Sequence, residues 1–128
     1  MGIKLVIADD APFIREVLRH VFHSSEVEIV GEAQDGAEAV QIAKTTRPDV
    51  VLMDIVMPKM SGIEATVEIL QALPQTKIIA CSTIDQNNMI MRALEAGCCH
   101  YVVKPFKTQE VLSAVRNAVA KKGKEAGV

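Results

Sequence analysis

The chain has 128 residues, of which 49% are hydrophobic and 23% charged, and its formal net charge is −2. This size and composition fit one soluble globular domain with a real core and exclude a disordered or fibrous chain or a second domain. The charge balance predicts no nucleic-acid or anionic-membrane surface, and no apolar run reaches the ~18 residues of a membrane span. The N-terminus does not resemble a signal peptide, so the predicted location is cytoplasmic.

Five short β-rich runs alternate along the chain with segments of helical periodicity. The predicted strands are residues 3–8, 26–33, 49–53, 77–82 and 100–104. After each strand, apolar residues spaced by three or four predict a helix with one buried stripe. Residues typical of helix ends mark these helices: Pro12, the pairs Asp35 with Glu38 and Ser61 with Glu64, Gly97, and Thr108.

The repeated β-α alternation predicts an α/β fold. Strands of nearly continuous Val, Ile and Leu indicate a parallel sheet that is covered by helices on both faces. Right-handed crossovers and the chain length then favour a doubly wound, flavodoxin-like sheet. Its strand order, 2-1-3-4-5, is adopted from known folds of this kind rather than derived from the residues. We therefore expect five parallel strands flanked by five helices.

Polar residues occur where four of the five predicted strands end. From strand 1 to strand 5 they are Asp9, Asp10, Asp54, Ser82, Thr83 and Lys104. Because the carboxyl ends of parallel strands meet at one edge, we expect these side chains to lie close together. Three carboxylates in one place require a cation, and an all-oxygen set of ligands suits Mg²⁺. The Lys104 ammonium supplies further positive charge.

These groups together predict a site for a phosphoryl group, because they place a carboxylate, Mg²⁺, an ammonium and a hydroxyl around one point. Asp54 is the predicted acceptor, because strand 3 is expected between strands 1 and 4 and Asp can accept phosphoryl groups covalently. Any one of these residues could instead simply cap the next helix. Residues at all four strand ends fit the same chemistry, however, and this agreement favours a phosphoryl site over helix capping.

Four segments resemble the receiver domain of bacterial response regulators: the Asp9 and Asp10 pair, "LMDIVMP" with Asp54, "CST" with Ser82, and "YVVKPF" with Tyr101 and Lys104. The resemblance covers about residues 3 to 120. Within this family the chain is most similar to stand-alone, CheY-like chemotaxis proteins. We therefore expect a receiver domain over residues 1–121 and a polar C-terminal tail over residues 122–128.

The resemblance implies that Asp54 accepts a phosphoryl group from a phosphohistidine of a sensor kinase, here a CheA-like kinase. The implied direct ligands of Mg²⁺ are Asp10, Asp54 and the backbone carbonyl of Val56, with Asp9 acting mainly through bound water. Lys104 would pair with the phosphoryl oxygens. The chain would be a signalling domain rather than an enzyme, although it would assist its own phosphorylation and dephosphorylation.

The resemblance also implies a conformational switch. A phosphoryl group brings about −1.5 to −2 charge and three acceptor oxygens, which would draw the Ser82 hydroxyl inward. Tyr101 would then rotate into the vacated space and change the surface of helix 4, strand 5 and helix 5. The implied partners are the kinase, an output target such as a flagellar motor switch protein, and a phosphatase. The chain itself is expected to be a monomer.

Three alternatives stay open at this stage. The chain could be a phosphorelay intermediate, or the receiver fragment of a transcription regulator. It could also be a phosphatase of the haloacid-dehalogenase type, but that chemistry needs a second acid two residues after the nucleophile, where this chain has Val56. Val56 and Ile84, two residues beyond Asp54 and Ser82, are both apolar. We therefore expect slow to moderate self-dephosphorylation.

Overall fold

A computed structural model of the chain describes residues 2–83 and 87–127, with side chains described up to residue 120. Its strands are β1 Ile3–Ala8, β2 Val27–Ala33, β3 Val50–Asp54, β4 Lys77–Ser82 and β5 His100–Val103. Its helices are α1 Pro12–Phe22, α2 Gly36–Thr46, α3 Gly62–Ala72, α4 Asn87–Ala96 and α5 Thr108–Gly127. Among these helices, none is both long enough and apolar enough to span a bilayer.

The strands form one parallel sheet in the order β2-β1-β3-β4-β5, which confirms the predicted fold class. Strand β3 lies between β1 and β4, so its last residue, Asp54, stands at the centre of the carboxyl edge. Asp54, predicted at the end of strand 3, pairs with Cys81 as the last residue of the β3–β4 ladder. Helix α5 continues to Gly127 through the segment expected as a polar tail, and the domain boundary after residue 121 stays a prediction.

Both faces of the sheet are buried, because the side chains of each strand alternate between two cores. Val51 and Met53 of β3 pack in the core beneath α2, α3 and α4. Val50 and Leu52 pack in the core beneath α1 and α5. This explains why the strands read as nearly continuous apolar runs, and it confirms helices on both faces.

The helix ends follow the predicted capping residues. Ser61 and Glu64 form a complete capping box at the start of α3. At α2, the Asp35 side chain accepts the N–H of Glu38, but the Glu38 side chain accepts the N–H of Gln34 instead of closing the box on Asp35. Gly97 ends α4 with φ +121°, a conformation that side chains with a Cβ rarely adopt.

Candidate functional site

Strand alternation directs three charged side chains at the carboxyl edge to one face of the sheet. Asp9, Asp54 and Lys104 each stand two positions beyond a residue that is buried beneath α1 and α5; those residues are Ile7, Leu52 and Val102. Side chains two positions apart along a strand share a face. The Lys104 Nζ accordingly lies 2.8 Å from Asp9 Oδ2 and 3.3 Å from Asp54 Oδ2. The predicted convergence of these residues is therefore present.

Asp54 is buried, with 6% of its surface exposed. Its Oδ1 accepts the backbone N–H of Val56 at 3.2 Å, and its Oδ2 accepts from the Lys104 ammonium. Burial and the charge of Asp9 raise the pKa of Asp54 from 3.8 to about 6, although Lys104 acts in the opposite direction. The Lys104 ammonium therefore offsets only part of the two effects that raise the pKa of Asp54.

Asp9 is also buried, and both of its carboxylate oxygens are engaged. Oδ1 accepts the N–H of Ala11 at 2.9 Å, and Oδ2 lies against the Lys104 ammonium. Asp10, the next residue, is exposed. One carboxylate oxygen from each of Asp9, Asp10 and Asp54 lies within 4.8 Å of the other two, so the cluster could hold a metal ion. Such an all-oxygen set suits a hard divalent cation.

The Lys104 ammonium stays charged at neutral pH. Burial alone would lower the pKa of Lys104, but the hydrogen bond to Asp9 and the charges of Asp54 and Asp9 outweigh this effect and raise it. The side chain is 16% exposed, so the cation is largely shielded from water. The Lys104–Pro105 peptide bond is cis.

Ser82 and Tyr101, the predicted switch residues, lie on neighbouring strands. The Ser82 side chain is fully buried, and within the described residues its Oγ is a buried polar atom without a hydrogen-bond partner. An unmade bond of this kind costs roughly 1–3 kcal/mol, so the hydroxyl is available to an acceptor that enters the site. Tyr101 is 40% exposed on β5, and its ring contacts that of His100.

The segment between β3 and α3 is held in a close-packed shape. The N–H of Gly62 donates to the Ile55 carbonyl at 3.2 Å, and the N–H of Gly36 in α2 donates to the Met60 carbonyl at 3.0 Å. A Cβ on Gly62 would overlap the backbone carbonyl of Asp54. Only glycine therefore allows α3 to start this close to the predicted acceptor.

Gly62→Ala is expected to lower the free energy of unfolding by about 2 kcal/mol, because the new methyl must displace the Asp54 backbone. Urea denaturation measures the loss. Gly31→Ala is the control, since there the new Cβ meets a side-chain atom, Ile42 Cγ2, which can shift more easily than the backbone of Asp54. Equal losses in the two variants would contradict the explanation.

Asp54→Asn is expected to stabilise the metal-free protein by about 2 kcal/mol at neutral pH. The pKa of Asp54 rises from 3.8 to about 6 on folding, so folding favours the protonated carboxyl. The contribution of Asp54 to stability is therefore greatest below its unfolded pKa and is lost as the pH rises to about 6, at ~1.4 kcal/mol per unit. The uncharged amide avoids this loss.

Denaturation of wild type and Asp54→Asn at about pH 4 and about pH 7.5, without divalent ions, measures the effect. The two proteins should differ little in stability at the lower pH. Asp10→Asn serves as the control, because Asp10 is exposed and its replacement should change stability little. A wild type as stable as Asp54→Asn at the higher pH would refute the prediction.

Val56 and Ile84 are the two residues expected to influence dephosphorylation, and the structure describes only Val56. The Val56 side chain is 49% exposed beside Asp54. Ile84 lies outside the described residues.

Sequence reasoning missed one residue of the site. The Arg15 guanidinium donates from Nη1 to the backbone carbonyl of Asp9 at 2.7 Å. A signal was available, because a basic residue in the first turn of a helix opposes the helix dipole and so needs a specific partner.

Comparison with known proteins gives concordant results. Residues 5–116 match the family model described as the response regulator receiver domain. The chain is 43% identical to the chemotaxis protein CheY of Thermotoga maritima over 121 residues, covering 94% of this chain and 100% of that protein.

Two solved structures are similar over most of their length. The receiver domain of sensor histidine kinase PA1611 from Pseudomonas aeruginosa, with a magnesium ion coordinated in its active site cleft, has a TM-score of 0.84 at 27% identity, covering 94% of this chain and 99% of that one. The CheX-CheY-BeF3-Mg+2 complex from Borrelia burgdorferi has a TM-score of 0.85 at 30% identity, covering 91% of this chain and 89% of that one.

Proposed function

Because the chain belongs to the response regulator receiver family, and is thus a phosphorylation-activated signalling domain, we propose that its phosphoacceptor is Asp54 and its donor a sensor-kinase phosphohistidine. The observation that carries this assignment is the Lys104 ammonium between Asp9 and Asp54, next to the third carboxylate, Asp10. Asp54 is the acceptor because it stands at the end of the central strand.

We propose that the cation of this cluster is Mg²⁺. Asp10, Asp54 and the Val56 carbonyl would hold it directly, and Asp9, whose oxygens are already engaged, would act through water. Bound Mg²⁺ would neutralise charge on the phosphoryl oxygens. The magnesium in the cleft of the Pseudomonas aeruginosa domain supports this proposal.

In the proposed transfer, an Asp54 carboxylate oxygen forms a bond to phosphorus as the bond from phosphorus to the histidine nitrogen breaks. Lys104 orients a phosphoryl oxygen and holds positive charge beside it, which assists the transfer without making the chain a turnover enzyme. The buried Ser82 hydroxyl, which lacks a partner among the described residues, would donate to another phosphoryl oxygen. Tyr101 would then turn inward from its exposed position on β5.

The proposed output is protein contact in chemotaxis, through the face formed by α4, β5 and α5. Similarity to the chemotaxis protein CheY of Thermotoga maritima supports the chemotaxis assignment. We propose a CheA-like kinase as the donor and a flagellar motor switch protein as the target. The Borrelia burgdorferi complex of a CheY with CheX supports a further protein partner, proposed here as a phosphatase. We propose a cytoplasmic monomer that binds no nucleic acid.

Phosphorylation-dependent capture of partners tests this function. Immobilised wild type and Asp54→Ala are incubated with acetyl phosphate and Mg²⁺ and then with a lysate, and captured proteins are identified by mass spectrometry. A motor switch protein or a chemotaxis kinase captured in a way that depends on Asp54 supports the proposal. A histidine phosphotransfer protein captured instead favours the phosphorelay alternative, and identical sets from both variants contradict phosphorylation-dependent output.

A further inference from the structure

Arg15, in the first turn of α1, makes two polar contacts with different parts of the fold. Its Nη1 donates to the carbonyl of Asp9 at 2.7 Å, and its Nε lies 3.3 Å from Glu32 Oε1 on β2. The Arg15 side chain is only 17% exposed. The guanidinium thus connects the edge strand β2 with the end of β1.

The position of Arg15 is unfavourable unless these contacts compensate. The first turn of a helix carries partial positive charge, which repels a cation. Glu32 balances this charge, and Glu32 is itself held by Arg19, whose Nη1 lies 2.6 Å from Oε1. A planar guanidinium can satisfy the carboxylate and the carbonyl together, whereas an ammonium on a shorter side chain cannot span both.

The carbonyl that Arg15 contacts belongs to the peptide group between Asp9 and Asp10. The N–H of Asp9 donates to the Ala33 carbonyl at 2.9 Å, and its Oδ1 accepts the N–H of Ala11. With Arg15 on its carbonyl, every polar group of Asp9 is held. Asp10 is exposed, so packing does not orient its side chain. Its direction then depends on the peptide group that precedes it.

We propose that Arg15 is a positioning residue for the metal-binding carboxylates. It holds the peptide group between Asp9 and Asp10 and thereby directs the Asp10 carboxylate toward the cation. The inference rests on the proposed function, since it concerns the proposed Mg²⁺ site. Charge alone predicts the opposite effect, because a guanidinium repels a cation, so the sign of the measured change separates positioning from electrostatics.

The dissociation constant of Mg²⁺, measured by calorimetry on the intact protein, tests the inference. Arg15→Met is expected to raise it about 10-fold, in the range found when residues that orient metal ligands are removed. Arg15→Lys keeps the charge but not both contacts, and it should raise the constant at least about threefold. Arg19→Met is the matched control, because it leaves Arg15 on the Asp9 carbonyl, and it should change the constant less than about twofold.

Two further readouts separate positioning from loss of structure. In metal-free protein, the NMR signal of the Asp10 amide should shift in Arg15→Met and stay in place in Arg19→Met. Phosphorylation of Arg15→Met by acetyl phosphate should return to nearly the wild-type rate at saturating Mg²⁺. If Arg15→Met does not fold, Arg15→Lys carries the test.

The inference is overturned if the dissociation constant of Mg²⁺ for Arg15→Met is lower than that of wild type or within about twofold of it. This result leaves the proposed function intact. A wild type that binds no Mg²⁺ overturns the proposed metal site and the inference with it. The two failures are therefore distinguishable within one set of titrations.

Discussion

Asp54→Asn is expected to reduce phosphoryl incorporation from acetyl phosphate by at least about 1,000-fold, because an amide is a far weaker nucleophile than a carboxylate. Among the described residues, the other two carboxylates of the site, Asp9 and Asp10, are less well placed to accept the group. Both oxygens of Asp9 are engaged, by the Ala11 N–H and the Lys104 ammonium, and Asp10 is exposed. Intact-protein mass spectrometry measures the gain of one phosphoryl group over time in the presence of Mg²⁺.

Asp10→Asn is the matched control for this experiment, since it removes a proposed metal ligand and keeps the proposed nucleophile. Its phosphorylation should be slower than that of wild type and should recover in part as the Mg²⁺ concentration rises, whereas that of Asp54→Asn should not recover. Peptide mapping of wild type should locate the modification on the peptide that contains Asp54. Modification at Asp9 or Asp10 would contradict the assignment.

Lys104→Met is expected to lower the free energy of unfolding of the metal-free protein by about 3 kcal/mol at neutral pH, because it leaves two buried carboxylates without their cation. Asp9 and Asp54 have side chains only 3% and 8% exposed, so water replaces little of the lost interaction. Urea denaturation measures the loss. Lys107→Met is the control, since the Lys107 side chain is 80% exposed.

The loss caused by Lys104→Met should depend on both pH and metal. The pKa of Asp54 is already raised to about 6, and loss of Lys104 raises it further, so the penalty is fully present above that pKa. The part of the penalty that comes from Asp54 disappears as the pH falls through this pKa and the carboxyl becomes protonated. Added Mg²⁺ should restore part of the stability. A penalty that is unchanged by acid and by Mg²⁺ would show that Lys104 acts through packing instead.

Much of this fold follows from sequence patterns that report burial directly. The strands lie within one residue of their predicted ends, because Val, Ile and Leu fill both faces of a sheet that is covered on both sides. Ser61 and Gly97 act at the helix ends where their chemistry predicts. The strand order does not follow from these patterns. It depends on which strands pair, and periodicity contains no information on pairing.

The site was predictable to the extent that parallel strands bring their carboxyl ends together. Alternation along the strands would also have shown that Asp9, Asp54 and Lys104 share one face. The contact of Arg15 with the Asp9 carbonyl was not predicted, because the residue types indicate only that Arg15 needs a partner and do not identify a backbone atom as that partner. The close approach of Gly62 to the Asp54 carbonyl is likewise a property of backbone geometry.

The parallel arrangement of the sheet has a practical consequence for engineering. All the predicted chemistry lies at one end of the strands, and the turn of residues 73–76 between α3 and β4 lies at the other end. A strand of five residues such as β3 separates the two ends by roughly 16 Å, at ~3.3 Å per residue. Pro74 and Gln75 are exposed there. A fluorophore or an affinity tag attached at this turn would leave the proposed acceptor carboxylate unobstructed.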